Sequence, residues 1–279
     1  MNVIEIKHLS KYYGVNRGIE DISLDVKAGE IYGFIGQNGS GKSTTIRILL
    51  NMIFPTSGEA NIYGLDCVQD SKAIKEFLGY VPSEVTYYPM MKVIDLFNYA
   101  SLLGDICDKQ RIEELCTYFE LDKNRFIKEL SLGNRKKVSI IQALLKNPKV
   151  ILLDEPTSGL DPLIQDKLFK LLLKEKEKGV SIFLSSHNLS EVEKYCDRVC
   201  VIKDGKVVQI DSMKNLNKQR KIKVTYLTND NQEVSYIYDG NINNLTKHLA
   251  TLDLKEIEIR HSTLEEEFMK FYEEDHNER

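Results

Sequence analysis

Nine consecutive residues, Gly36-Gln37-Asn38-Gly39-Ser40-Gly41-Lys42-Ser43-Thr44, constrain this chain more than any other part of it. They fit the pattern G-x-x-x-x-G-K-[ST] and sit where that pattern has physical meaning: after a short apolar run, residues 30–35, and at the start of a helical stretch reaching about residue 52. Glycine tolerates left-handed backbone, so successive N–H groups can turn inward as a nest for an anion. The helix that follows adds the positive end of its dipole. Lys42 is placed to reach the β- and γ-phosphates of a nucleotide, and the Ser43 hydroxyl to ligate Mg²⁺. A strand, loop and helix in this order predict a P-loop unit in an open α/β sheet.

Residues 149–153 form a second continuous apolar run, the pattern of a strand buried on both faces. The run carries Asp154 and Glu155 to its C-terminal edge, where ligands bind in open α/β sheets. Asp154 is expected to hold Mg²⁺, and Glu155 to take a proton from an attacking water. A third buried-strand pattern, residues 179–185, runs into Ser185-Ser186-His187. A histidine at a strand end is often only structural. This strand is expected to neighbour the nucleotide, which makes His187 a candidate donor to a γ-phosphate.

Between the first two units, residues 96–103, 110–119 and 133–145 carry apolar residues at helical spacing and predict an inserted helical subdomain, about residues 84–147. Asp204-Gly205 is a hairpin signal between two short strands, 199–202 and 206–210. Composition then turns polar and basic over residues 213–220, which reads as a linker between a first domain, 1–212, and a small C-terminal α+β module, 221–279. That module shows period-two strands at 221–227 and 233–238, a helix about 244–252, a strand at 255–260 and a helix at 263–272. Thr263 with Glu266 is a capping box, so the acidic run 265–267 reads as helix-start chemistry rather than a binding patch.

The net charge of −4 provides no global basic field of the kind nucleic-acid binders use. Cys67, Cys107, Cys116, Cys196 and Cys200 contain no CxxC pair and are expected to be reduced, structural thiols. No apolar run of about 18 residues occurs, and residues 1–14 lack a signal-peptide core, so the expectation is a cytosolic chain that serves any membrane process as a peripheral subunit.

Together these motifs resemble the ABC-type ATPases over about residues 3–212. In that resemblance residues 36–44 are the Walker A motif, 151–155 the Walker B motif, Ser158-Gly159-Leu160-Asp161 the D-loop, with Asp161 toward nucleotide, and His187 the switch histidine. Tyr13, in Lys11-Tyr12-Tyr13-Gly14, falls where the family stacks an aromatic ring on adenine, with Tyr12 as the alternative. Leu130-Ser131-Leu132-Gly133-Asn134 stands where the family has L-S-G-G-Q, a segment that reaches the γ-phosphate held by the opposite subunit. Ser131 and Gly133 match, whereas Leu132 and Asn134 depart. The hydroxyl and the free N–H groups at the helix start are kept. Ser83, in Tyr80-Val81-Pro82-Ser83-Glu84, occupies the family's glutamine position toward Mg²⁺ and is too short for the same span, so a water or Glu84 is expected to substitute. Residues 82–90 and the C-terminal module resemble ATPase subunits of bacterial ABC-2 type exporters, including those for antimicrobial or toxic peptides.

The resemblance implies a P-loop NTPase of the ABC type that binds and hydrolyses ATP with Mg²⁺. It further implies a dimer, a homodimer in the favoured case, with two composite sites, driving an integral-membrane permease subunit on another chain from the cytoplasmic face of the cell membrane. No direct nucleic-acid contact is expected. Two other classes stay open. A soluble ABC protein acting on ribosomes or DNA usually carries two P-loops or a long coiled-coil insertion, and neither is in this sequence. A regulatory nucleotide-binding module without turnover would not need Asp154, Glu155 and His187 together. The cargo is not legible.

Overall fold

The computed structural model describes residues 1–102, 108–219 and 221–266. Contacts divide the chain into two units, Met1–Ser212 and Met213–Arg279. The first unit opens with β1 (Asn2–Tyr13) and β2 (Asn16–Lys27), paired antiparallel. Next, β3 (Ile31–Ile35) leads through the Gly-rich loop into α1 (Lys42–Leu49). The chain then returns to the edge of β1 as β4 (Ser57–Ile62) and β5 (Leu65–Asp66). Sequence periodicity does not mark this antiparallel sheet. Register shifts at Ile6/Leu9 and Leu9/Lys11 break the alternation of β1, because each bulge flips the facing of the residues after it.

After α2 (Ser71–Phe77) comes β6 (Leu78–Val81), then a helical layer of α3 (Val93–Leu102), α4 (Lys109–Tyr118) and α5 (Leu132–Leu144). β7 (Val150–Asp154), α6 (Pro162–Glu177), β8 (Ser181–Ser186), α7 (Leu189–Tyr195), β9 (Arg198–Lys203) and β10 (Lys206–Ser212) complete the unit. The central sheet runs in the order β10–β9–β3–β8–β7–β6, parallel except for the β9–β10 hairpin. Every residue of β3, β7 and β8 is buried, as an internal parallel strand covered on both faces requires. The helical layer is fastened to the sheet layer by Arg111 on α4, whose guanidinium lies 2.7 Å from Glu175 on α6, and by the Tyr118 hydroxyl, which donates to the Lys167 carbonyl. The thiols of Cys67, Cys116, Cys196 and Cys200 are free and buried. Burial pushes that of Cys67 up to about 12. Cys107 lies outside the described residues.

The second unit begins with α8 (Met213–Gln219), followed by β11 (Ile222–Thr228), β12 (Glu233–Tyr238), α9 (Ile242–Leu249) and β13 (Leu254–His261). The helix corrects the expected linker over 213–220. Met213 and Leu216, three apart, share one helical face and are both buried, and this small apolar anchor outweighs the polar composition. The sheet order is β12–β11–β13, antiparallel, with Leu245 and Leu249 of α9 packed on Val224. Thr263 and Glu266 form the capping box in both directions, and Lys223 and Arg260 also hold the Glu266 carboxylate, which sits far below its ordinary pKa. The remainder of the expected helix, from residue 267, lies outside the described residues. Among the described residues no helix is long and apolar enough to cross a membrane.

Candidate functional site

Strand register brings distant residues to one edge. Ile35 pairs with Ser186, Asp154 with Ser185, and Val81 with Leu153. The segments after β3, β8, β7 and β6 therefore leave the sheet side by side: the Gly-rich loop, His187, Glu155 and Pro82-Ser83. Ligands of open parallel sheets bind at this edge.

The loop is shaped by glycine where geometry leaves no alternative. A side chain on Gly36 would come within 2.3 Å of the Ile202 carbonyl oxygen, and Gly41, at φ 108°, sits against Ile19. The loop curls around a cavity of about 280 Å³ lined by Gly18, Asn38, Gly39, Gly41, Lys42, Ser43, Thr44, Ser83 and Glu155. Ser40 is buried, and its carbonyl accepts from the Gly205 amide, while the Gln37 carbonyl accepts from the Ser40 amide. The Lys42 ammonium donates to the carbonyls of Gly36 at 2.7 Å and Gln37 at 3.1 Å, and its nitrogen lies 3.2 Å from Glu155 Oε1.

Glu155 is the focus of the site. Its backbone is left-handed, at φ 47°, a conformation that costs a non-glycine residue energy and is held only where the surroundings impose it. Its amide donates to the Ser185 hydroxyl at 3.0 Å, and that hydroxyl donates to Asp154 Oδ1 at 2.7 Å. Glu155 Oε2 lies 2.5 Å from Nδ1 of His187, whose side chain is exposed. Ser185 thus orients both acids. In the sequence Ser185 reads only as the end of a strand, one of three serines in Ser181–Ser186, and nothing in the pattern separates it from the other two.

Ser83 lines the cavity, and exposed Glu84 is not among the lining residues. The two carbonyls of Pro82 and Ser83 accept from the Lys136 ammonium, at 2.8 and 3.0 Å. Burial pushes the Lys136 pKa down to about 8, against the pull of Asp154 and Glu155. Of the two tyrosines on β1, it is the Tyr13 ring that packs against Gly18, a residue of the cavity wall, with the Lys11 ammonium 5.3 Å from the ring centre. Tyr12 instead uses its amide to bond Thr56.

Ser131 and Gly133 are brought elsewhere. Ser131 caps α5, accepting from the Asn134 amide at 3.3 Å. Gly133 packs so closely on the Gly159 carbonyl that a side chain there would come within 2.9 Å of it. Neither residue lines the cavity that holds Lys42. Asp161 caps α6, its carboxylate accepting from the amides of Leu163 and Ile164.

Mg²⁺ fits the residues at the cavity. Ser43, Ser83 and Glu155 line it and Asp154 directly precedes Glu155, so the donors are hydroxyl and carboxylate oxygens, the ligands this hard cation takes. Among the described residues no group of three or more His, Cys, Asp or Glu side chains forms a cation cage. A second concavity, about 730 Å³, runs between β6, α3 and α5 and is lined by Tyr80, Pro82, Tyr87, Tyr88, Tyr99 and Ala143 among others.

Comparison with known proteins agrees with this geometry. A family described as ABC transporter matches residues 19–158. The bacitracin transport ATP-binding protein BcrA of Bacillus licheniformis is 35% identical over 224 residues, 78% of this chain and 73% of that protein. The uncharacterized ABC transporter ATP-binding protein YhaQ of Bacillus subtilis (strain 168) is 32% identical over 244 residues, 85% of this chain and 81% of that protein. Among solved structures, an ATP-binding subunit of an ABC transporter superposes with a TM-score of 0.73 at 29% identity, covering 78% of this chain and 92% of that one. A dimeric post-hydrolysis structure of the ATP-binding cassette MJ0796, bound to ADP and Pi, superposes with a TM-score of 0.70 at 25% identity, covering 75% of this chain and 98% of that one.

Proposed function

The chain belongs to the ABC transporter ATP-binding proteins, and from that membership we propose that it is the motor of a bacterial exporter, working as a dimer of like ATPase subunits on a separate integral-membrane permease. It is an ATPase whose hydrolysis is coupled to transport. The observation that carries the assignment of roles is Glu155, set between the Lys42 ammonium at 3.2 Å and the His187 ring at 2.5 Å beside the glycine-built cavity.

In this reading the amides from Gly36 to Thr44 and the Lys42 ammonium take the phosphates, with Tyr13 against the adenine. Ser43 and Asp154 hold Mg²⁺, with Ser83 at the margin. When bound, Mg²⁺ neutralises charge on the β- and γ-phosphate oxygens. Glu155 accepts the proton of the attacking water, and its fixed backbone aims the carboxylate without reorganisation. His187 bonds the γ-phosphate and stays hydrogen-bonded to Glu155. Ser131 and Gly133 of one subunit meet the nucleotide held by Lys42 of the other, with Asp161 near the junction. Their position beside Gly159, away from the chain's own cavity, supports that arrangement. Two-fold symmetry then makes the contact twice, around two ATP molecules.

The tyrosine-lined groove is the surface we assign to the permease, and in this reading the chain works on the cytoplasmic face of the membrane. The kinship with a bacitracin transport protein supports peptide cargo. The net charge of −4 supports a function without direct nucleic-acid contact. The test is phosphate release by the chain alone and in membranes containing the permease encoded beside it, together with co-purification of the two. Turnover with retention of the membrane protein is expected. Turnover without any membrane partner would favour the soluble class, and retention without turnover the regulatory one.

A further inference from the structure

Lys136 has no part in the roles assigned above, yet it is the most completely buried charged side chain among the described residues, at 1% exposure together with Asp154. It stands one turn after Gly133 on α5. A buried ammonium is costly unless its donors are used, and here they are directed to two main-chain carbonyls, Pro82 at 2.8 Å and Ser83 at 3.0 Å. Both acceptors belong to the loop that leaves β6 for the cavity. Further along that loop, the Tyr87 hydroxyl donates to Gln142, also on α5, at 2.8 Å. One helix therefore holds the loop at two points, and Lys136 is the one at the cavity end.

This bears on Ser83. A serine reaches only about one bond beyond its β-carbon, so whether its hydroxyl meets the nucleotide edge depends on where its backbone is held. Pro82 fixes only its own φ and Tyr87 holds the far end of the loop; at Ser83 it is Lys136 that holds the backbone. We infer that Lys136 is a positioning residue for ATP hydrolysis, which by capturing the Pro82 and Ser83 carbonyls makes Ser83 move with the helix that begins at Ser131 and Gly133. The inference rests on the chain being an ATPase. A shift of α5, as subunits close or open, then carries Ser83 toward or away from the cavity without any side chain long enough to span the gap.

The test compares wild type, Lys136→Met and Lys136→Arg by steady-state hydrolysis of Mg-ATP and by amide hydrogen exchange over residues 80–88. Methionine keeps the apolar stem and removes every donor. The expected result is a kcat about tenfold lower with KM changed by less than about twofold, the pattern of a lost transition-state arrangement. Exchange at residues 83–86 should quicken about tenfold as the loop opens locally. Lys136→Arg, which restores donors and charge, should recover at least half of kcat. A Lys136→Met protein with wild-type kcat and wild-type loop exchange overturns the inference, as does a loss of kcat with unchanged exchange at the loop. If Lys136→Met does not fold, Lys136→Gln keeps an amide donor and is read the same way: intermediate exchange and kcat support the clamp, and wild-type values for both overturn it. A wild-type chain without turnover sinks the hydrolysis reading and this role with it, whereas an active wild type with an equally active Lys136→Met variant sinks this role alone.

Discussion

The loop after β6 borders two concavities of opposite chemistry. At Ser83 it meets the cavity under the Gly-rich loop, and at Pro82, Tyr87 and Tyr88 the groove beside α5. The cavity is small, about 280 Å³, and walled by glycine backbone, Lys42, Ser43 and a Glu155 held in a costly left-handed conformation. The groove is larger, about 730 Å³, and two of its four tyrosine rings stand open to solvent, Tyr88 at 78% and Tyr99 at 57% exposure. Chemistry on a phosphate needs a few polar atoms fixed in advance, which explains strain and short hydrogen bonds in the first. The recognition of a protein surface that we propose for the second needs apolar area with polar tips, which tyrosine supplies.

Four substitutions test how separate these regions are. Glu155→Gln should cost about 10²–10⁴-fold in turnover while ATP still binds, because the base is lost and the cavity's shape is kept. Phosphate release and nucleotide binding measure both halves, and near wild-type turnover would remove Glu155 from the chemistry. Leu152→Ala, in the fully buried strand that carries Asp154, should lower stability by about 2–5 kcal/mol in denaturant unfolding. Ser185→Ala should lower turnover about tenfold, the size of one hydrogen bond to a carboxylate, since Asp154 loses its donor and the Glu155 amide keeps only the Ser185 carbonyl at 3.3 Å. An unchanged rate there would mean that the strained backbone of Glu155 is held by the strand alone. Tyr88→Ala should change stability by less than about 0.5 kcal/mol, as expected of an exposed residue. In the same protein, affinity for the permease should fall about fivefold or more. A loss of stability as large as that of Leu152→Ala would mean the groove is part of the core and not a surface held ready for a partner.

How far the site was legible follows the range of the interactions. The P-loop, the two acids after β7 and the histidine after β8 each announce themselves within a few residues, because local backbone chemistry and continuous burial restrict composition. Lys136 and Ser185 carry no such mark. A lysine in a polar stretch of helix reads as a solvated residue, and only the packing of α5 against the loop after β6 turns it inward. The bulged strand β1 and the short helix α8 escaped for the same reason, since a register shift and an apolar pair show only against their neighbours.

By itself, then, the sequence determined that this chain has a phosphate-binding loop between a strand and a helix, buried parallel strands ending in acids, and a change of composition where a second small unit begins. Those are consequences of nearest-neighbour conformational preference and of burial on both faces, which act along the chain. Only the tertiary structure decided that β3, β8 and β7 lie adjacent, so that Lys42, Glu155 and His187 converge while Ser131 and Gly133 stand apart from the same cavity. Strand order and helix packing are settled by contacts between residues tens of positions apart, and more than a hundred for the pairing of β3 with β8, and their free energy exists only once the whole sheet has formed.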